Sequence, residues 1–174
     1  MIIRDKEFVK FIESDKIIER VSEIAKQINQ DYKDKAPLFI AILNGSFMFA
    51  SDLMKEVDIP SEISFVRVAS YDDMQSSGDI KKLIGLNDNI FNREVIVIED
   101  IVDSGLTMGK MMEEFISLGA KNVSVASLLT KPENIKVDIP IKYLGFEIPN
   151  KFVVGYGLDY NGHGRNFKDI YQLK

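Results

Sequence analysis

Two unbroken apolar runs, Leu38-Phe39-Ile40-Ala41-Ile42-Leu43 and Val95-Ile96-Val97-Ile98, lack the polar alternation of a half-exposed strand. A third, Val123 to Leu129, is nearly as continuous. Such runs predict strands buried on both faces, as in a parallel sheet. Between them the apolar period changes to that of a helix. Ile17, Val21, Ile24 and Ile28 predict an amphipathic helix ending before Lys33-Asp34-Lys35. After the turn Asn44-Gly45-Ser46, Phe47, Ala50, Leu53 and Met54 share one face of a second helix. A third carries Met108, Met111, Met112, Phe115 and Ile116 on one side, with Gly119 as its C-cap. The Met stripe reads as core, because Met fills irregular apolar gaps. Shorter strands are predicted at Ile63 to Val68, Tyr143 to Phe146 and Phe152 to Tyr156. Lys82 to Leu86 reads as a short strand forming a long hairpin with the first of these, across a polar, mobile stretch from Ser70 to Asp79. Strands alternating with helices predict an α/β fold with a mostly parallel central sheet flanked by helices.

Composition narrows the function. The 174 residues show no repeat, low-complexity tract or linker, so one domain over 1–174 is expected. A net charge of −5 argues against a primary nucleic-acid binder. The absence of cysteine excludes disulfides and thiolate chemistry and fits a cytoplasmic protein. His163, the only histidine, leaves no basis for a His-rich metal site or a Ser-His triad. Neither a secretion signal nor a membrane span is visible.

The chemistry concentrates in VIVIEDIVDSGLTMGKMMEEF, Val95 to Phe115. Glu99 and Asp100 follow the apolar run directly. The small-residue turn Asp103-Ser104-Gly105-Leu106-Thr107 then leads into the third helix. Free N–H groups at a helix start suit a phosphate. The adjacent acids suit sugar hydroxyls, directly or through a hard cation such as Mg²⁺. The order strand, acidic pair, turn and helix predicts a site for a phosphorylated sugar, beyond the carboxyl ends of the strands where α/β sheets bind ligands.

This string resembles the signature of the type I phosphoribosyltransferases, which use phosphoribosyl pyrophosphate (PRPP). Four more blocks, ILNGSFMFASDL, VASYDDMQSSGDI, ASLLTKPEN and GFEIPNKFVVGYGLDYNGHGRN, extend the resemblance over most of the chain, to the hypoxanthine-guanine branch of that family. It implies the type I fold with a small hood and a long flexible loop over about residues 70–80, marked by Ser70 and Tyr71. By the same resemblance, Glu99 and Asp100 hold the ribose hydroxyls and contribute to a Mg²⁺ site. Ser104, Gly105, Leu106 and Thr107 bind the 5′-phosphate. Asp103 is the catalytic residue near the purine N7. Lys131 donates to the exocyclic O6, Phe152 stacks on the base, and the Val153 backbone meets the purine edge. Asp159 helps hold Mg²⁺ on the pyrophosphate side, often through water. Leu43, Asn44, Gly45 and Arg165 contact the pyrophosphate.

One position departs from the family pattern. Asn44 stands where the pyrophosphate loop commonly has a basic residue. The resemblance implies a strained Leu43–Asn44 peptide, whose cis or trans form the sequence leaves open. The implied reaction is Mg²⁺-dependent transfer of phosphoribose to N9 of hypoxanthine or guanine, giving IMP or GMP and pyrophosphate, in a homodimer or homotetramer. Two alternatives stay open: a preference for xanthine, and an RNA-binding regulator on the same fold. The acidic balance and the Lys131 and Phe152 blocks speak against the regulator.

Overall fold

A computed structural model describes residues 1–68, 83–86 and 88–174. Ser70 and Tyr71, with the rest of the loop expected over the site, lie outside the described residues. Among the described residues, ten strands and three α-helices follow in the order β1 (Ile2–Ile3), β2 (Lys6–Ile12), α1 (Ser14–Asp31), β3 (Leu38–Leu43), α2 (Phe47–Glu56), β4 (Glu62–Val68), β5 (Leu83–Ile84), β6 (Glu94–Val102), α3 (Leu106–Ser117), β7 (Asn122–Thr130), β8 (Ile141–Glu147), β9 (Val153–Val154) and β10 (Ile170–Leu173). A 3₁₀ turn, Pro132–Asn134, follows β7.

The central sheet runs β5-β4-β3-β6-β7-β8. Its pairings are parallel from β4 to β8, and β5 closes the edge antiparallel to β4. Both faces are covered, which is why the strands read as unbroken apolar runs. Phe39 and Ala41 of β3 face one buried cluster with Ile17, Val21 and Ile24 of α1 and Leu53 of α2. Leu38, Ile40 and Ile42 face the other, with Met108, Met111 and Phe115 of α3.

Several local expectations change. The signature strand does not stop at Ile98. It carries Glu99 and Asp100 within it as far as Val102, with Glu99 paired to Ser127 and Ile101 to Leu129 of β7. The long β7 beside it offers ladder partners well past the apolar run. On α2, Phe49 turns to the core, whereas Phe47 is exposed in an open groove with Met54, Ile63 and Phe65. On α3, Ile116 is exposed, and only Met108, Met111 and Phe115 are fully buried. Gly119 ends this helix at φ +86°, one residue past the cap Leu118. Its N–H bonds Ile116 O and the Ala120 N–H bonds Phe115 O, the paired closure of a Schellman motif.

The hood is a second sheet, β1-β2-β10-β9, antiparallel throughout. The sequence reading left β1, β2 and β10 unassigned, because their apolar pattern is short and mixed. Asp169, just before β10, accepts the Ser14 N–H at 2.8 Å and pairs with Lys10 at 3.0 Å. It thereby caps α1, whose own N-cap residue Glu13 makes no side-chain cap bond. Those hydrogen bonds, led by Ser14 N–H, lower its pKa to about 2.

Candidate active site

The strand order changes direction between β3 and β6, and the crevice outside their carboxyl ends is where a ligand fits. The turn after β3 meets β6 there so closely that a Cβ on Gly45 would fall 1.5 Å from Asp100 Oδ2. Glycine at 45 is therefore required by the carboxylate of the next strand. A second close approach lies behind it. Gly157, at φ +99°, puts its missing Cβ 2.0 Å from the Gly45 carbonyl. The Leu43–Asn44 peptide entering this loop is cis, and Asn44 is exposed.

A cleft of about 310 Å³ opens on Glu99, Asp100, Asp103, Ser104, Gly105 and Thr107. Gly105 takes φ +78°, and a Cβ there would press on Val137 O at 2.8 Å, so both backbone angle and space select glycine. The first bond inside α3 runs from Gly109 N–H to Gly105 O. The N–H groups of Leu106, Thr107 and Met108 thus precede the helix ladder, and Ser104 Oγ makes only a long 3.4 Å contact to the Leu106 N–H. This is the geometry a phosphate needs. Beside it, burial first and the neighbouring Asp100 second raise the Glu99 pKa well above the usual carboxylate range. A cation or hydroxyl donors in the cleft would relieve that penalty.

Asp103 follows the last residue of β6, and its carboxylate is 49% exposed. Its Oδ2 accepts from Lys131 Nζ at 2.9 Å, and its Oδ1 from Asn134 Nδ2 at 2.7 Å. Partial burial works to raise the Asp103 pKa, but the Lys131 and Asn134 hydrogen bonds outweigh it and hold the carboxyl below the usual range. Lys131 reaches it from the end of β7, with its own side chain only 10% exposed. The two residues come together because β6 and β7 are parallel neighbours ending at the same level, with Thr130 Oγ1 and the Lys131 N–H both donating to Val102 O.

Phe152 is exposed on one side and packs on the other against Tyr160 and Phe8, with ring centroids 5.8 and 6.3 Å away. It does not line the phosphate-side cleft. Val153 is buried in β9, paired with Gln172 of β10. Arg165 is committed within its own loop, to Gly157 O at 2.7 Å and Asp159 Oδ1 at 2.6 Å. Asp159 Oδ2 accepts the Gly162 N–H at 2.6 Å. His163 is exposed. Among the described residues, no three acids or histidines converge as a metal cage.

Sequence reasoning missed Asn134, Asn150, Tyr160 and Gly157. A signal for Asn134 was present: an amide three residues beyond a strand-end lysine, with Pro132 forcing a tight turn between them.

A parallel sheet with an acidic pair and a phosphate-suited turn at one strand end, accompanied by a small antiparallel sheet, defines an α/β protein with a site suited to a sugar phosphate. Residues 11–161 match the phosphoribosyl transferase domain, and the chain belongs to that family. It is 42% identical to the hypoxanthine-guanine phosphoribosyltransferase of Dictyostelium discoideum over 163 residues, 91% of each chain. Against the Bacillus subtilis hypoxanthine-guanine phosphoribosyltransferase it is 40% identical, covering 94% of this chain and 91% of the relative. The crystal structure of a Bacillus anthracis hypoxanthine-guanine phosphoribosyltransferase superposes with a TM-score of 0.89 at 36% identity, covering 97% of this chain and 98% of that one. A Trypanosoma cruzi hypoxanthine phosphoribosyl transferase, solved in work on how its C-terminal region affects oligomeric state and activity, gives a TM-score of 0.89 at 32% identity over 99% and 95%.

Proposed function

We propose that the chain is a purine-salvage enzyme that transfers phosphoribose from PRPP to N9 of hypoxanthine or guanine, releasing IMP or GMP and pyrophosphate. The observation that carries this reading is the Lys131–Asp103 pair at 2.9 Å, set beside the Glu99–Asp100 pair and the α3 turn. It places a cationic donor and a carboxylate acceptor side by side, as the O6 and N7–H edge of a 6-oxopurine requires. Adenine, with a donor at position 6, is disfavoured by the same ammonium group.

The turn Ser104-Gly105-Leu106-Thr107 takes the 5′-phosphate, and Glu99 with Asp100 takes the ribose hydroxyls. Anchoring both ends of the sugar orients C1′ for attack. As the bond from C1′ to pyrophosphate breaks, the sugar gains cation character and N9 of the base attacks it. The Asp103 carboxyl, held below its ordinary pKa, is a poor proton acceptor. It therefore acts mainly as a hydrogen-bond acceptor to N7–H, strengthening as positive charge reaches the purine. Phe152 offers its open face to the base, and Val153 its backbone to the purine edge. Leu43, Asn44 and Gly45 present the pyrophosphate loop, with backbone donors in place of the missing basic side chain. Arg165 acts there through the Gly157 carbonyl it holds.

Mg²⁺ fits this site: Glu99 and Asp100 are hard oxygen donors, and a shell completed by water and substrate oxygens is usual for this ion. Asp159, with Arg165 and Gly162 on its two oxygens, would meet it through water. When bound, the ion neutralises charge on the departing pyrophosphate. Among the described residues no helix is long and apolar enough to cross a membrane. We place the enzyme in the cytoplasm as a homodimer or homotetramer.

The test is a product assay with PRPP and Mg²⁺, offering hypoxanthine, guanine, xanthine, adenine and uracil separately. Nucleotide from hypoxanthine or guanine and not from adenine is expected. Activity confined to xanthine or uracil would keep the sugar site and overturn the base pocket. No product with any base, together with salt-sensitive RNA binding, would favour the regulator.

A further inference from the structure

Both carboxylate oxygens of Asp103 are engaged before any substrate is present: Oδ2 by Lys131 and Oδ1 by Asn134. The two donors have different futures in the reaction proposed above. Lys131 has to turn from Asp103 toward the purine O6. Asn134 has no such second duty. Its Nδ2 also donates to Asn150 Oδ1 at 2.8 Å, so both of its amide hydrogens are spent on protein. Asn150 begins the segment that leads, two residues on, to Phe152.

We propose that Asn134 is a positioning residue that keeps the Asp103 carboxylate aimed at the purine when Lys131 turns away, with Asn150 fixing the Asn134 amide in turn. The inference rests on the assignment of Asp103 and Lys131 made above.

The local architecture suits that task. Lys131 and Asn134 flank one tight turn, closed by the Asn134 N–H on Lys131 O at 3.0 Å, so both donors are presented to the same side chain from one rigid support. A second tie, Lys136 N–H to Ser104 O at 2.9 Å, holds this segment against the Asp103 loop. Without Asn134, a half-exposed carboxylate that has lost its lysine would be free to rotate into solvent. Small misplacements of a reacting group cost large factors in rate. Among the described residues, the charged groups around Asp103 are Lys131 from the end of β7, Glu133 and Lys136 beside Asn134 in the adjoining cleft, and Glu99 and Asp100 upstream on β6. Among the described residues, Asn134 is the one neutral side chain bonded to it.

The experiment measures kcat and both KM values for wild type, Asn134→Ala, Asn134→Asp, Asp103→Asn and the double variant Asp103→Asn/Asn134→Ala. Loss of one hydrogen bond to a charged group predicts a kcat about tenfold lower for Asn134→Ala, with KM for PRPP unchanged. Asn134→Asp, of the same size but facing Asp103 with a like charge, should fall further. The double variant should be no worse than Asp103→Asn alone, because Asn134 acts through Asp103. The acid limb of kcat should also move to higher pH in Asn134→Ala. Full kcat in both Asn134 variants, or the same factor of loss with and without Asp103, overturns the inference while leaving the function standing. Wild-type kcat in Asp103→Asn overturns the role of Asp103 itself and the inference with it. Where Asn134→Ala does not fold, Asn134→Asp and Asn150→Ala read the same quantity.

Discussion

Gly45 and Asp100 occupy the same corner of the crevice between β3 and β6: a methyl group on the first would fall 1.5 Å from a carboxylate oxygen of the second. Gly45→Ala must therefore displace Asp100 or the pyrophosphate loop. Overpacking of this kind costs about 1–3 kcal/mol, visible as a lower thermal midpoint. The larger expected effect is on PRPP, with kcat/KM reduced about a hundredfold, since a shift on the order of 1 Å in positioning groups has that consequence. A Gly45→Ala enzyme with wild-type kinetics would show that the loop yields freely.

Lys131→Gln removes the ammonium from both Asp103 and the purine. The kcat/KM for hypoxanthine should fall about tenfold or more, mainly through the purine KM. The pH dependence follows from the sign of the Asp103 shift. In the wild type its pKa is depressed, so the carboxylate persists as pH falls and is lost only below the ordinary carboxylate range. Without Lys131 the acid limb of kcat/KM, which reports the free enzyme, should move upward. An unmoved limb would mean that Asp103 does not govern it.

Asp169 predicts an acid-dependent loss of stability. Its pKa is depressed from 3.8 to about 2, so its contribution is complete above the unfolded value and disappears as pH falls through the folded one. Asp169→Asn should lower stability at neutral pH by about 1–3 kcal/mol, since the bonds lost involve a charged group. That deficit should shrink as the pH is lowered toward 2. Urea unfolding of both proteins between pH 7 and pH 2 measures it, and a deficit that does not change with pH would assign the effect elsewhere.

Chelation should stop turnover, and added Mg²⁺ should restore it. The same treatment should leave the thermal midpoint of the substrate-free protein unchanged, because among the described residues no three acids or histidines converge to hold the ion. A midpoint that falls on chelation would reveal a structural metal instead.

Most of the central sheet was legible because strands buried on both faces leave no polar residues to interrupt the run, as Leu38–Leu43 and Val95–Ile98 show. Where burial is one-sided, as in β2 with only Phe8 and Ile12 inward, the pattern is too sparse to read. Helix faces were right in register but not always in outlook: Phe47 and Ile116 share apolar spacing with core residues yet point outward. The Glu99–Asp100 pair was legible, but its place inside a strand was not, since β7 supplies the hydrogen bonds that carry β6 onward. Contacts distant in sequence were invisible. Asp169 caps a helix that begins 155 residues earlier, and no local motif marks it.

The small antiparallel sheet joins residues 6–12 to residues 170–173, so its two central strands enclose nearly all the rest of the described chain between them in sequence. During synthesis the sugar-phosphate side, from β3 through Lys131, emerges with its parallel neighbours already in hand. The aromatic shelf of Phe8, Phe152 and Tyr160 has no such local partners and must wait for β10 before its floor is closed. A nascent chain stalled before residue 170 should therefore hold a folded pocket for a ribose phosphate while its seat for the base is still open.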